Sequence, residues 1–167
     1  ATFIGFTSVD AGSTATNGTI TGTDGVDAFT ISDDAGTGNQ VSANSILFSN
    51  IASVTAGDGT DTVSGSNTWN LLSTGFESSN INFFGIETAN SATAGTLTGT
   101  TLADTFTLVG DKQVGVKTTT FNDVTTVVAG NGDDEIIGAA DQAWELSGTN
   151  EQISANNILF PDVEQAV

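Results

Sequence analysis

The chain has 167 residues, with 20 acidic and 2 basic side chains and a net charge of −18. Cys, His, Met and Tyr are absent and the only cations are Lys112 and Lys117. Thiol chemistry, a histidine general base, a Cys/His zinc site and an arginine clamp are therefore excluded. So large a negative charge also repels nucleic acid and anionic membrane surfaces.

No apolar run approaches the roughly 18 residues of a membrane span, so membrane insertion is not expected. Ten Phe, two Trp and an apolar fraction of 37%, with one Pro, argue against a disordered tract. The chain opens on Ala1 rather than Met, as expected of a processed product or a piece of something longer.

Taken in chain order, the sequence is a repeat. A pattern Phe-x-x-Φ-x-x-(Val/Ala), with Φ apolar, opens it as Phe3–Phe6–Val9. The first unit (about 10–47) holds Ile20/Gly22, the alternating triplet Phe29-Thr-Ile31 and the run Val41–Phe48. The second (about 48–82) opens on Phe48–Ile51–Val54 and holds Val63/Gly65 and Trp69-Asn-Leu71. The third (about 83–120) opens on Phe83–Ile86–Ala89 and holds Leu97/Gly99 and Phe106-Thr-Leu108. The fourth (about 121–160) opens on Phe121–Val124–Val127 and holds Ile136/Gly138 and Trp144-Glu-Leu146. It closes on Ile153-Ser-Ala-Asn-Asn-Ile-Leu-Phe160, nearly the words of Val41–Phe48, and a last motif reads Phe160–Val163–Ala166.

Short segments that alternate apolar residues with Thr, Ser and Asn, punctuated by Gly, read as strands and turns. Units of about 39 residues are too small to bury an apolar face alone and gain a core by stacking. The expected fold is all-β: a parallel β-helix (β-solenoid) of four such units forming one array over residues 1–167. One unit per coil would put like residues in register, the Phe motifs in one internal ladder and the Phe/Trp triplets in another. Gly22, Gly65, Gly99 and Gly138 would mark corners. The alternative is two β-sandwich repeats of about 77 residues, since Phe and Trp alternate in the triplet.

Two segments carry the chemistry, Ala56-Gly-Asp-Gly-Thr-Asp-Thr-Val-Ser64 and Ala129-Gly-Asn-Gly-Asp-Asp-Glu-Ile-Ile137. Both match G-G-x-G-x-D-x-U-x at every position but the first, and so resemble the calcium-binding nonapeptide of the repeats-in-toxin family. The resemblance implies hard oxygen ligands for calcium from Gly57, Asp58, Gly59 and Asp61, and from Gly130, Asn131, Gly132, Asp133 and Asp134. In that family the nonapeptides run in tandem; here each copy stands alone. Looser cousins at Gly22–Phe29 and Gly99–Phe106 keep Asp-x-Φ through Asp27 and Asp104. Asp after Gly at the start of a strand also reads simply as a turn with a side-chain-to-backbone hydrogen bond.

Phrases such as Phe-Ser-Asn-Ile-Ala-Ser-Val-Thr-Ala-Gly-Asp-Gly-Thr-Asp-Thr-Val resemble the β-strand repeats of giant bacterial surface proteins, the large secreted adhesins and filamentous-haemagglutinin-like proteins. The resemblance implies an extracellular structural array, a fibre, surface layer or adhesin stalk. A glycan- or cell-binding adhesion module is the alternative. Asp33-Asp34 and Asp133-Asp134 are paired carboxylates, but no His, Arg or Tyr stands ready to assist them, so no enzyme is expected. The two ends fall in the same phase of the repeat, and no cap is visible, so end-to-end self-association into fibres is expected.

Overall fold

The computed structural model describes residues 8–12, 18–32, 39–147, 152–161 and 165–166. The Phe3–Phe6 part of the first motif, Val163 of the last and the Asp33–Asp34 pair lie outside the described residues. The molecule is a β-solenoid of about four turns.

The chain begins with β1 (Ser8–Asp10), β2 (Gly18–Thr21), β3 (Ala28–Ile31), β4 (Val41–Ala43) and β5 (Ile46–Ser49). Next come β6 (Ile51–Thr55), β7 (Thr62–Leu71), β8 (Phe76–Ser78) and β9 (Ile81–Phe84), then β10 (Thr88–Thr98), β11 (Thr105–Gly110) and β12 (Gln113–Val116). The last group is β13 (Thr119–Val128), β14 (Glu135–Ile137), β15 (Glu145–Ser147), β16 (Gln152–Ala155), β17 (Ile158–Phe160) and β18 (Gln165–Ala166).

Parallel pairing builds the stack: β3 lies on β7, β7 on β10, β10 on β13 and β13 on β17. Around the coil, β2–β6–β9 and β11–β14–β18 do the same. Each turn also folds a three-stranded antiparallel insert into the wall: β3–β4–β5, β7–β8–β9, β11–β12–β13 and β15–β16–β17. Three of these inserts turn on two residues with positive φ, Asn44-Ser45 (50° and 63°), Ser79-Asn80 (51° and 59°) and Asn156-Asn157 (51° and 59°). That is the hairpin whose twist matches the flanking strands, and Asn tolerates it best after Gly.

The core is continuous from turn to turn. Phe29, Val63, Ala89 and Phe121 form one column, Trp69, Leu97 and Val127 a second, and Ile20, Val54 and Phe83 a third. All but half-buried Ile20 are fully buried or nearly so. Phe76 joins the columns, stacking on Phe83 at 5.5 Å between centroids and meeting Trp69 edge-on at 5.6 Å. Burial of each such side chain contributes about 1.5–3 kcal/mol.

The Phe motifs and the Phe/Trp triplets do not stack ring upon ring. Phe48 lies opposite Val9, Phe83 opposite Val54 and Phe121 opposite Ala89, so the first position of each Phe motif covers the third position of the motif before it. Steps along the column Phe29–Val63–Ala89–Phe121 are 34, 26 and 32 residues, shorter than the sequence repeat. The next triplet after Phe29 begins at Trp69, six residues beyond Val63, so the insert shifts around the axis with each turn. Packing explains the choice. Phe121, over small Ala89, meets the rings of Trp69 at 6.2 Å and Phe76 at 5.2 Å between centroids, so the aromatic volume is shared among the columns.

Gly65 is not a corner between strands but a bulge within β7, at φ 100°, where the register to β10 slips between Ser64 and Ser66.

Candidate functional site

The acidic loops that stand alone in sequence are brought together in pairs by the coil register. Residues 22–27 lie against 56–61, and residues 99–104 lie against 129–134. In the first pair Gly22 N–H donates to the Thr55 carbonyl at 2.8 Å and Thr62 N–H to the Asp27 carbonyl at 2.9 Å. In the second, Gly99 N–H donates to Val128 at 2.8 Å and Glu135 N–H to Asp104 at 3.0 Å. The glycines are explained by proximity: a Cβ at Gly22 would run into the Ala56 carbonyl, and one at Gly99 into that of Ala129.

The aspartates close these pairs through the backbone. Asp61 Oδ1 accepts the Asp27 N–H at 2.7 Å, and Asp134 Oδ1 accepts the Asp104 N–H at 2.8 Å. Asp27 Oδ2 in turn accepts from Thr23 N–H (2.6 Å) and Oγ1 (3.0 Å), and Asp104 Oδ2 from Thr100 N–H (2.6 Å) and Oγ1 (2.9 Å). The weaker sequence candidates, Asp27 and Asp104, are thus the structural partners of the stronger ones. Charge-assisted bonds of this kind are the strong members of the hydrogen-bond inventory.

The remaining candidates lie at the surface of the loops, with Gly59 close enough to Asp61 that a Cβ there would meet its Oδ1 at 3.3 Å. Asp58 and Asp133 are exposed, as are Gly57, Gly59, Asn131 and Gly132, while Gly130 is half-buried. Their loops nevertheless share one conformation, with φ of 106° at Gly57 and 105° at Gly130, and 142° at Gly59 and 141° at Gly132.

One participant carries no motif. Glu87, from the third turn, accepts the Asp61 N–H through Oε2 at 2.7 Å, and the Asp61 carbonyl accepts from Glu87 and Thr88 N–H. Asp27, Asp61 and Glu87 form a column of acids down three turns, each residue one place before a paired strand position. Only the register, which pairs Ala28 with Thr62 and Thr62 with Thr88, places Glu87 there.

Calcium takes six to eight oxygens, from carboxylates and carbonyls in flexible geometry. Each loop pair supplies two aspartates and glycine-rich backbone, and Asp61 is wholly buried with Oδ2 lacking a hydrogen-bond partner among the described residues. A buried carboxylate oxygen in that position calls for a counter-charge, and this donor chemistry fits a hard cation. No group of three or more acidic side chains converges on one point among the described residues.

Elsewhere, Asp10 Oδ1 accepts from Gly12 N–H (2.9 Å) and from Asn50 Nδ2 (2.7 Å), which ties the first turn to the second. These bonds hold its carboxyl below the ordinary 3.8. Lys117 Nζ donates to the Leu72 and Ser73 carbonyls at 3.1 and 2.8 Å and edges an open groove of about 570 Å³ with Leu71, Leu102 and Asp104. Trp69, readable in isolation as a sugar platform, is a core residue whose Nε1–H donates to Ser91 Oγ at 3.0 Å.

Comparison with family models, with curated proteins and with solved structures finds no match.

Proposed function

We propose that the chain is a non-enzymatic, extracellular structural module, a segment of a bacterial surface fibre, surface layer or adhesin stalk, stiffened by calcium held between its paired loops. The observation that carries this reading is the commitment of the acidic side chains to the stack. Asp61 and Asp134 each accept a turn-to-turn hydrogen bond from a backbone N–H at the same place in the repeat. Carboxylates used in this way serve as architecture, and a self-similar core that can be extended turn by turn is what a spacer or fibre needs.

Calcium would be held at Asp27 and Asp61, with Asp104 and Asp134 forming the equivalent pair. It would supply positive charge where the chain stacks like charges and would stabilise the folded state by linkage, by about 2.7 kcal/mol at one hundred times its dissociation constant. Among the described residues, β2 is hydrogen-bonded along one edge only, to β6. An edge of that kind accepts a further coil, from the same polypeptide or from another copy, and such a contact propagates instead of closing.

Electron microscopy of the purified chain at high concentration, with millimolar calcium and with EDTA, tests the reading. Rods that lengthen by end-to-end addition, more so in calcium, support it. Unassociated particles in both conditions, together with specific retention on glycan arrays, would replace it with the adhesion-module reading.

A further inference from the structure

We propose that Asn131 is a site of spontaneous deamidation, where the Asn131–Gly132 linkage closes to a succinimide and reopens as aspartate or isoaspartate. Asn131 is the one asparagine among the described residues that is followed by glycine, and both residues are exposed to water. Glycine offers no side chain to obstruct attack by its own nitrogen. The Gly132 N–H also donates to no acceptor among the described residues. Some other asparagines are restrained: Asn122 Nδ2 donates to Asn90 Oδ1 at 2.8 Å and Asn157 Nδ2 to Asp111 Oδ1 at 2.7 Å.

The chemistry needs only water. The Gly132 nitrogen gives up its proton and forms a bond to Asn131 Cγ, closing a five-membered ring. The Cγ–Nδ2 bond breaks, and Nδ2 leaves with that proton as ammonia. Water then adds at either ring carbonyl. Opening on one side leaves an ordinary aspartyl–glycine linkage. Opening on the other routes the main chain through the side-chain carboxyl and lengthens it by one methylene.

Both products bear on the stack. Either adds a negative charge beside Asp133 and Asp134. The isoaspartyl form also lengthens the backbone between Gly130 and Gly132, two residues packed so closely on Thr100 and Leu102 of the facing loop that neither has room for a Cβ. The register that brings the Asp104 N–H to Asp134 then slips. The Asp58–Gly59 linkage has the same loop conformation, with Gly59 at φ 142° against 141° at Gly132, but would have to expel water in place of ammonia. It is the built-in slow reference. The reaction acts as an irreversible ageing step at one loop pair, independent of what the array does.

The test is to age the full folded chain at mildly alkaline pH in EDTA and follow it by peptide mapping with isoaspartate detection, alongside Asn131→Gln and a sample aged in urea. Expected are isoaspartate at 131 ahead of every other described asparagine and ahead of Asp58, its loss in Asn131→Gln, and a lower melting midpoint for the aged wild type only. Asn17, the other asparagine before a glycine, is mapped as a separate peptide. The proposal is overturned if the 131 amide persists in the folded chain while it converts in urea, or if 131 converts no faster than the other described asparagines.

Discussion

Removing the Asp61 carboxylate is the sharpest perturbation of the stack. In Asp61→Ala the Asp27 N–H, now held at 2.7 Å, loses its acceptor between two turns. A hydrogen bond to a charged group contributes about 1.5–3 kcal/mol, and a donor left buried without a partner costs a similar amount. Relief of repulsion between Asp61 and its column neighbours Asp27 and Glu87 offsets part of this, which leaves a net loss of about 2 kcal/mol. For a chain of this length that lowers the melting midpoint by about 4–8 °C. Asp61→Asn keeps an acceptor oxygen and gives up only the charge, so about half the loss is expected in EDTA. Asp134→Ala, in the twin pair, should match Asp61→Ala. Thermal melts followed by circular dichroism in EDTA read all three. A midpoint for Asp61→Ala indistinguishable from wild type would refute the reasoning, as would Asp61→Asn costing more than Asp61→Ala.

Calcium should raise the wild-type midpoint, and Asp61→Asn should lose part of that rise; equal shifts in both proteins would remove Asp61 from the site. Gly22→Ala drives a Cβ into the Ala56 carbonyl and should destabilise by about 2 kcal/mol or more. Gly25→Ala meets nothing closer than Thr23 Oγ1 at 3.6 Å and should be near neutral, so equal denaturation midpoints for these two variants would contradict the loop packing. Ser45→Gly, at a turn position with φ 63°, should stabilise by about 0.5–1 kcal/mol, read by urea titration. Asp10 has a depressed folded-state pKa, so its contribution is present above 3.8 and is lost as pH falls through the folded value. Carboxyl NMR titration of Asn50→Ala should show the Asp10 value moving back up, and no movement would break the assigned cause.

The periodicity of Phe and Trp made the all-β solenoid and most of its core legible, because burying alternate apolar positions in every turn is required whatever the register. Register was not legible. The self-similarity of the Phe motifs suggests Phe over Phe, but Phe121 lies over Ala89 and Phe83 over Val54, with the rings of Trp69 and Phe76 packed beside Phe121. The inserts had a readable signal: Asn44-Ser45, Ser79-Asn80 and Asn156-Asn157 each sit between two strand-like runs, a hairpin signature. Asp61 and Asp134 announce themselves by their glycines. Their pairing with Asp27 and Asp104, and the arrival of Glu87, depend on which turn lies on which, and no local motif encodes that.

Gly22–Asp27 lies directly on the turn that carries Asp61, and cross-linking reads this without a cysteine background, since the chain has none. Thr30 pairs with Ser64 in the parallel ladder of β3 and β7, within the Cα separation a disulfide tolerates. Stacking like residues would instead place Thr30, next to Phe29, opposite Asn70, next to Trp69. The double variant Thr30→Cys/Ser64→Cys is predicted to form an intramolecular disulfide in mild oxidant while Thr30→Cys/Asn70→Cys stays reduced; cross-linking of the second pair and not the first would contradict the account.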